Sequence, residues 1–212
     1  MKQNSTEVPF IIADSVSFRY KGMNKCLFED LSFIIYSNSI YRILGDSGSG
    51  KTTLAYLIAQ LLRPQAGLIT WTPELLTSSA HARMVFQDPF ASINPRWRIR
   101  EWLRDMKPRL GWEEYVYSIM TELKLENKLL AATPLELSGG ECQRFSIISA
   151  LIGEPRIILL DEAFSMLDVE MQEICEDVLL EYQKLSGASI IYISHLDIIR
   201  FGERVHSISW QC

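Results

Sequence analysis

The stretch Gly45-Asp46-Ser47-Gly48-Ser49-Gly50-Lys51-Thr52-Thr53 constrains this chain more than any other. It fits the pattern G-x-x-x-x-G-K-[ST], and its surroundings are those the pattern requires. Ile40 to Leu44 reads as a short strand before it, and Leu54, Leu57, Ile58, Leu61 and Leu62 recur at helical spacing after it until Pro64 stops the helix. Strand, glycine loop and helix together make an anion cradle. Glycines let the backbone curl its N–H groups around phosphate oxygens with no Cβ in the way. The helix start adds unpaired donors and the positive end of its dipole. Lys51 is placed to reach the β- and γ-phosphates of a nucleotide, and the Thr52 hydroxyl to ligate Mg²⁺. The competing reading is a glycine turn that happens to precede a lysine; the strand–loop–helix setting argues against it.

With 212 residues the chain can bury a full core, and the length suggests one domain, with room for an inserted subdomain. Lys+Arg 21 against Asp+Glu 26 leaves a net charge of -5, which argues against a protein whose main work is wrapping nucleic acid. Cys26, Cys142, Cys175 and Cys212 sit far apart with no Cys-x-x-Cys, so neither a zinc site nor a disulfide framework is expected. No apolar run approaches the roughly 18 residues of a membrane span, and Met1 to Pro9 lacks the apolar core of a signal peptide. The expectation is a cytosolic protein whose membrane association comes through a partner.

Along the chain, Phe10 to Ile43 is β-rich. Phe10-Ile11-Ile12 and Val16 to Tyr20 read as strands, Lys21 to Lys25 as a turn, and Leu27 to Tyr36 as an imperfectly alternating strand. Tyr20 lies 25 positions before Gly45 (45 − 20). An aromatic on a strand edge there either stacks on an adenine ring or fills the core. Pro64 to Thr70 reads as turn then strand. Met84-Val85-Phe86 is a short apolar strand ending in Gln87, which either ligates Mg²⁺ and orients a water or is a solvated turn residue.

From Phe90 to Thr133 the character turns helical. After a break at Asn94-Pro95, Ile99, Trp102, Leu103 and Met106 form one apolar face. Arg96, Arg98, Arg100 and Arg104 surround it; nucleic acid is one reading of them, a solvated helix face the preferred one. A second helix is expected over Glu113 to Leu125. Leu137-Ser138-Gly139-Gly140-Glu141-Cys142-Gln143-Arg144 then opens a helix carrying Phe145, Ile148, Leu151 and Ile152. It is a second glycine-rich helix start of the anion-binding type, or simply a glycine-containing cap on a buried helix.

Ile157 to Leu160 is a continuous apolar run, as in a central parallel strand buried on both faces, and it ends in Asp161-Glu162. Carboxylates at a strand's carboxyl end sit where ligands bind in an open α/β sheet. Asp161 suits Mg²⁺, held directly or through water, and Glu162 suits activation of an attacking water. Ser165 to Asp168 caps a helix reaching about Leu185, broken by Ser186-Gly187. Ile190 to Ile193 is another buried strand, ending in Ser194-His195, where a His can reach a γ-phosphate edge.

These pieces in this order resemble the ATP-binding subunit of an ABC transporter, over nearly the whole chain from about Phe10 to Ser209. The Leu137 to Glu141 signature is the most specific element. The resemblance implies an α/β fold: a P-loop NTPase core, mostly parallel sheet flanked by helices, with an N-terminal antiparallel β subdomain and an inserted α-helical subdomain. It implies a single ABC ATPase domain over 1–212, with 1–90 and 155–212 forming the nucleotide-binding core and 91–154 the helical signature subdomain. It implies ATP and Mg²⁺, with Tyr20 stacking on adenine, Gly45 to Thr53 holding the phosphates, and Ser138, Gly139, Gly140 and Glu141 contacting ATP bound to the opposite subunit. Asp161, with Thr52 and Gln87, would attend the metal, Glu162 would be the catalytic base and His195 the switch on the γ-phosphate. Ser165 to Asp168 would communicate across the dimer.

A narrower resemblance lies in Val85 to Arg96 together with Glu136 to Glu141. It is similar to the ATPases of importers for di- and oligopeptides, nickel and metal–opine chelates. Implied partners are a second such ATPase subunit, the same or different, transmembrane permease subunits and, indirectly, an extracytoplasmic substrate-binding protein, with no nucleic acid. The implied place is the cytoplasmic face of the membrane. One departure is that only 17 residues follow His195 (212 − 195), where that group usually continues with a longer tail. A small-molecule kinase or GTPase leaves the signature unexplained and lacks Asn-Lys-x-Asp. A non-transport ABC ATPase would be expected as a tandem repeat or with a long coiled coil. A binding-only subunit would be expected to have lost Glu162 or His195.

Overall fold

The two apolar runs at 157–160 and 190–193 set the architecture. In the computed structural model, which describes residues 8–23, 25–77, 81–106, 111–193, 201 and 205–209, they are adjacent parallel strands, β6 (Ile157–Asp161) and β7 (Ser189–Ile193). Both are buried along their whole length, the pattern of strands covered on two faces. The remaining strands of this parallel sheet are β3 (Ile40–Ile43), β5 (Ala82–Val85) and β8 (Val205–Ile208), in the order β5-β6-β7-β3-β8. Side chains alternate between its faces. Ile157, Leu159, Ile191 and Ile193 join one apolar cluster, and Ile158, Leu160, Ile190 and Tyr192 the other.

The first cluster is closed by helix α1 (Lys51–Ile58) and by an antiparallel sheet of β1 (Pro9–Phe18), β2 (Phe28–Tyr36) and β4 (Ala66–Trp71), in the order β2-β1-β4. The second is closed by α2 (Ile99–Asp105), α3 (Trp112–Glu122), α4 (Gly139–Ile152) and α5 (Val169–Ser186). Each Ile or Leu that leaves water in these clusters contributes about 1.5–3 kcal/mol, so the two faces of the parallel sheet carry much of the stability.

Several boundaries differ from the sequence reading. The two expected N-terminal strands are one, β1, kinked where Ser15 takes a left-handed conformation (φ 51) and the pairing with β2 shifts register between Ala13 and Val16. An extra residue can thus be absorbed without ending the strand. Tyr20 lies two residues beyond β1 rather than on it.

The helical spacing predicts that α1 runs to Pro64, but the helix ends at Ile58, leaving Leu61 60% exposed. Gln60 adopts φ 58, its N–H reaches the Leu57 carbonyl at 3.1 Å, and the Leu61 N–H reaches the Tyr56 carbonyl at 2.8 Å. This is a Schellman closure with glutamine where glycine is usual, which hides it from a reading of composition. Helix α3 similarly stops at Glu122 rather than Leu125, with Lys124 at φ 53. Strand β5 begins at Ala82 and leaves Phe86 outside.

Helix α5 begins as expected. Asp168 is its cap, accepting from the Met171 N–H at 2.8 Å, and Gly187 closes it at φ 69. Among the described residues no helix is long and apolar enough to cross a membrane.

Candidate active site

Parallel pairing aligns the carboxyl ends of β3, β6 and β7 along one edge: Arg42 lies opposite Tyr192, and Asp161 opposite Ile193. The loop after β3 and the turn after β6 therefore emerge together, where ligands bind in this kind of sheet. Between them lies a cleft of about 340 Å³. Residues 47, 48 and 50–53 supply its polar lining, Tyr20, Met23, Leu27 and Ile193 its apolar one, and Glu162 its carboxylate.

The glycine loop is built as an anion cradle. Gly50 caps α1 at φ 99 and offers no side-chain acceptor, so the first turn, whose residues line the cleft, has no side-chain cap. No acidic residue lies in that turn either. Lys51 is 9% exposed and donates to the Gly45 and Asp46 carbonyls, both at 2.9 Å. Those two bonds hold the loop closed over the ammonium group. Since an ammonium has three donors, a third remains to meet a phosphate oxygen.

Tyr20 is 38% exposed, edge-on to Phe18 with ring centroids 5.1 Å apart, and its hydroxyl shares a 3.0 Å hydrogen bond with the Thr53 hydroxyl. Tyr20 is therefore neither a core residue nor a strand residue. Its ring lines the cleft.

Asp161 is buried and accepts a hydrogen bond from the Thr52 hydroxyl. Burial pushes its carboxyl above the usual range and the neighbouring Glu162 adds to this, while the Thr52 hydroxyl and the Lys51 charge work the other way. Glu162 sits at φ 48, a left-handed conformation rare for Glu, with its N–H on the Ile193 carbonyl at 2.9 Å. Its carboxylate accepts from the Gln87 side-chain amide at 2.9 Å. Gln87, exposed beyond the end of β5, thus meets the Glu162 carboxylate.

The signature stands apart from this cleft. Ser138 caps α4; its N–H and hydroxyl both donate to one Glu141 carboxylate oxygen at 2.8 Å, and its hydroxyl accepts from the Glu141 N–H at 3.2 Å. These bonds hold the Glu141 carboxyl below the usual range. A Cβ on Gly139 would meet the Met166 sulfur at 2.9 Å and one on Gly140 the Met166 carbonyl at 3.3 Å, so the glycines let α4 dock on the loop that leads to Asp168. His195 and Ser194 lie outside the described residues.

One residue the sequence reading passed over is Gln143. It is fully buried in α4 and donates to the Phe86 carbonyl at 3.4 Å, one residue before Gln87. Its position among the apolar residues Cys142, Phe145 and Ile147 of α4 is the signal it carries in the sequence. The paired cap pattern Thr133-x-x-Glu136 and Ser138-x-x-Glu141 also went unread, although both boxes form.

The model of the ABC transporter family matches residues 28–165, from β2 to the turn after Glu162. The chain belongs to the ABC transporter family. It is 35% identical over 205 residues to the oligopeptide transport ATP-binding protein OppF of Haemophilus influenzae, covering 85% of this chain and 62% of that protein. It is 33% identical over 205 residues to the nickel import ATP-binding protein NikE of Escherichia coli K12, covering 89% of this chain and 76% of that one. The chain thus spans about three-fifths of the first of these relatives. Among solved structures it is similar to the dimeric bacterial ABC transporter cassette MJ0796, with a TM-score of 0.78 and 24% identity over 94% of both chains. A second dimeric structure of MJ0796, bound to ADP and phosphate, gives a TM-score of 0.77 at 23% identity, over 93% of this chain and 94% of that one. The fold is that of an ABC ATPase cassette: a parallel sheet, an antiparallel sheet and helices on the parallel sheet's second face.

Proposed function

We propose that this ABC family chain binds ATP with Mg²⁺ and hydrolyses it to power an importer, with di- or oligopeptides, nickel or a metal chelate as cargo. The observation that carries the hydrolytic reading is the Glu162 carboxylate, set in the phosphate cleft and held 2.9 Å from the Gln87 amide. The oligopeptide and nickel relatives support the cargo class.

Lys51 and the uncapped start of α1 bind the phosphates, and Tyr20 carries the adenine. Glu162 takes a proton from a water molecule as the water oxygen attacks the γ-phosphorus. The bond to the β–γ bridging oxygen breaks, leaving ADP and inorganic phosphate. The Thr52 hydroxyl and the Asp161 carboxylate, with Gln87, are the groups that would hold Mg²⁺, and the ion would neutralise phosphate charge. Their hydrogen bond, on a buried carboxylate next to the cradle, is what makes the set fit a hard cation. His195 steadies the γ-phosphate.

Segment 91–154 acts as the helical signature subdomain. Ser138, Gly139, Gly140 and Glu141 complete the ATP site of a second ATPase subunit, with Asp168 near the dimer contact. Permease subunits anchor the pair to the cytoplasmic face of the membrane, and a substrate-binding protein supplies cargo from outside. Closure follows because ATP, unlike ADP, offers a γ-phosphate to both subunits and so binds the closed state better.

The test is light scattering on a sizing column with Glu162→Gln protein, in ATP and in ADP, alongside its ATPase rate. Loss of turnover with ATP-dependent dimers is the expected result. Full turnover in the variant would show that another group is the base. A monomer that binds ATP would assign the chain to a heterodimer.

A further inference from the structure

Gln143 is the one fully buried amide side chain among the described residues whose function is not accounted for by the site. Its Oε1 is buried with no hydrogen-bond partner, while its Nε2 donates to the Phe86 carbonyl. Leaving a buried acceptor unpaired costs about 1–3 kcal/mol, and an apolar side chain of the same length carries no such cost. Stability alone therefore does not explain an amide in a helix otherwise buried among Phe145, Ile148 and Leu151.

What the amide does is fix a carbonyl. β5 is the edge strand of the parallel sheet and ends at Val85, so Phe86 has left the ladder. Its carbonyl is tied instead to α4, one turn into the helix that Ser138 caps. The next residue is Gln87, and its side chain holds the Glu162 carboxylate. Three links thus join the signature helix to the base of the same chain: Gln143 to Phe86, Phe86 to Gln87 through one peptide unit, and Gln87 to Glu162.

The geometry points to Gln143 as a positioning residue: it sets the Gln87 backbone, and through Gln87 the orientation of Glu162. This rests on Glu162 being the base, as proposed above. Gln143 is fully buried and is not among the residues that line the cleft. It acts on the chemical step and not on ATP affinity, because the phosphate loop and Tyr20 lie on other elements.

The experiment is a kinetic cycle with Gln143→Met, Gln87→Ala and the double variant, in the full chain with its assembled partners, with the thermal midpoint measured for each. Gln143→Met keeps the side-chain length and removes the donor. The expected result is a kcat lower by on the order of tenfold, the size of a misaligned catalytic group, with KM for ATP within about twofold. The thermal midpoint is expected to be unchanged or higher. In the Gln87→Ala background Gln143→Met should have no further effect on kcat. An unchanged kcat, or the same fold-change with and without Gln87, overturns the inference. So does a large fall in thermal midpoint, in this variant and in Gln143→Leu, because it assigns the residue to stability. Glu162→Gln run beside the cycle separates the two readings: turnover retained there removes the base assignment, whereas additivity in the cycle removes only the role of Gln143.

Discussion

The Gln87 amide and the Glu162 carboxylate, 75 positions apart in the chain, meet at 2.9 Å where Glu162 lines the cleft beside the glycine loop. Gln87 leaves the end of the edge strand β5 and Glu162 the end of its neighbour β6, so parallel pairing of two short strands is what makes the contact. An amide that donates to a general base fixes its rotamer without taking its charge. Gln87→Ala should lower kcat by about tenfold or more while leaving ATP binding within a few-fold, read from steady-state ATPase rates and nucleotide titration. An equal loss in binding would place Gln87 on the ground-state nucleotide instead.

Lys51 gives a contrasting expectation. Its ammonium bridges the Gly45 and Asp46 carbonyls, and in the proposed function its third donor goes to a phosphate oxygen. Lys51→Met should weaken ATP binding by on the order of a hundredfold, since charge-assisted bonds to phosphate are among the strongest available. Fluorescent-nucleotide titration measures it, and circular dichroism should show the fold retained, because Gly45 and Asp46 are exposed and water can satisfy their carbonyls.

Tyr20 tests the adenine contact. Tyr20→Ala should lose about 1–3 kcal/mol of nucleotide affinity, the range for a base on an aromatic ring, while Tyr20→Phe keeps most of it. Calorimetric titration with ATP and with inorganic triphosphate separates base from phosphate, because the triphosphate should be insensitive to either change.

Gly67 carries a stability prediction unrelated to nucleotide. It sits at φ 75 in β4 against the β1 kink, where a Cβ would lie 2.2 Å from the Ser15 carbonyl oxygen. Gly67→Ala must therefore adopt a costly backbone and push β1 from β4. A loss of at least about 1–3 kcal/mol is expected from urea denaturation, with the slope unchanged.

The capping box of α4 predicts a pH dependence. Ser138 holds the Glu141 carboxyl below its ordinary range, so the folded state favours the carboxylate. That contribution is fully present above the unfolded pKa and is lost as pH falls through the lower folded one. Between about pH 6 and about pH 3, wild type should lose thermal midpoint faster than Glu141→Gln, whose cap does not titrate. Parallel curves for the two proteins would show that Glu141 contributes nothing through its charge.

The phosphate cradle at 45–53 was readable because its whole chemistry lies in one contiguous strand, loop and helix. The double burial of 157–160 and 190–193 was readable for a similar reason: an unbroken apolar run can be satisfied only between two covered faces. Asp168 and Gly187 showed themselves as helix ends through the side chain and the missing side chain that such ends need. The end of α1 did not, because glutamine there takes a conformation that tertiary packing imposes and composition does not announce. Nor did the union of the two N-terminal strand segments, since the bulge at Ser15 is fixed by its neighbours on β2 and β4. The pairing of Gln87 with Glu162 and of Gln143 with Phe86, 75 and 57 residues apart, depends on the strand order β5-β6-β7-β3-β8 and on where α4 packs against it. Local chemistry is written in neighbouring side chains, so sequence alone determined the cradle and the strands that carry it. Which side chains meet across the cleft is decided by the global minimum of packing, and only the tertiary structure holds that.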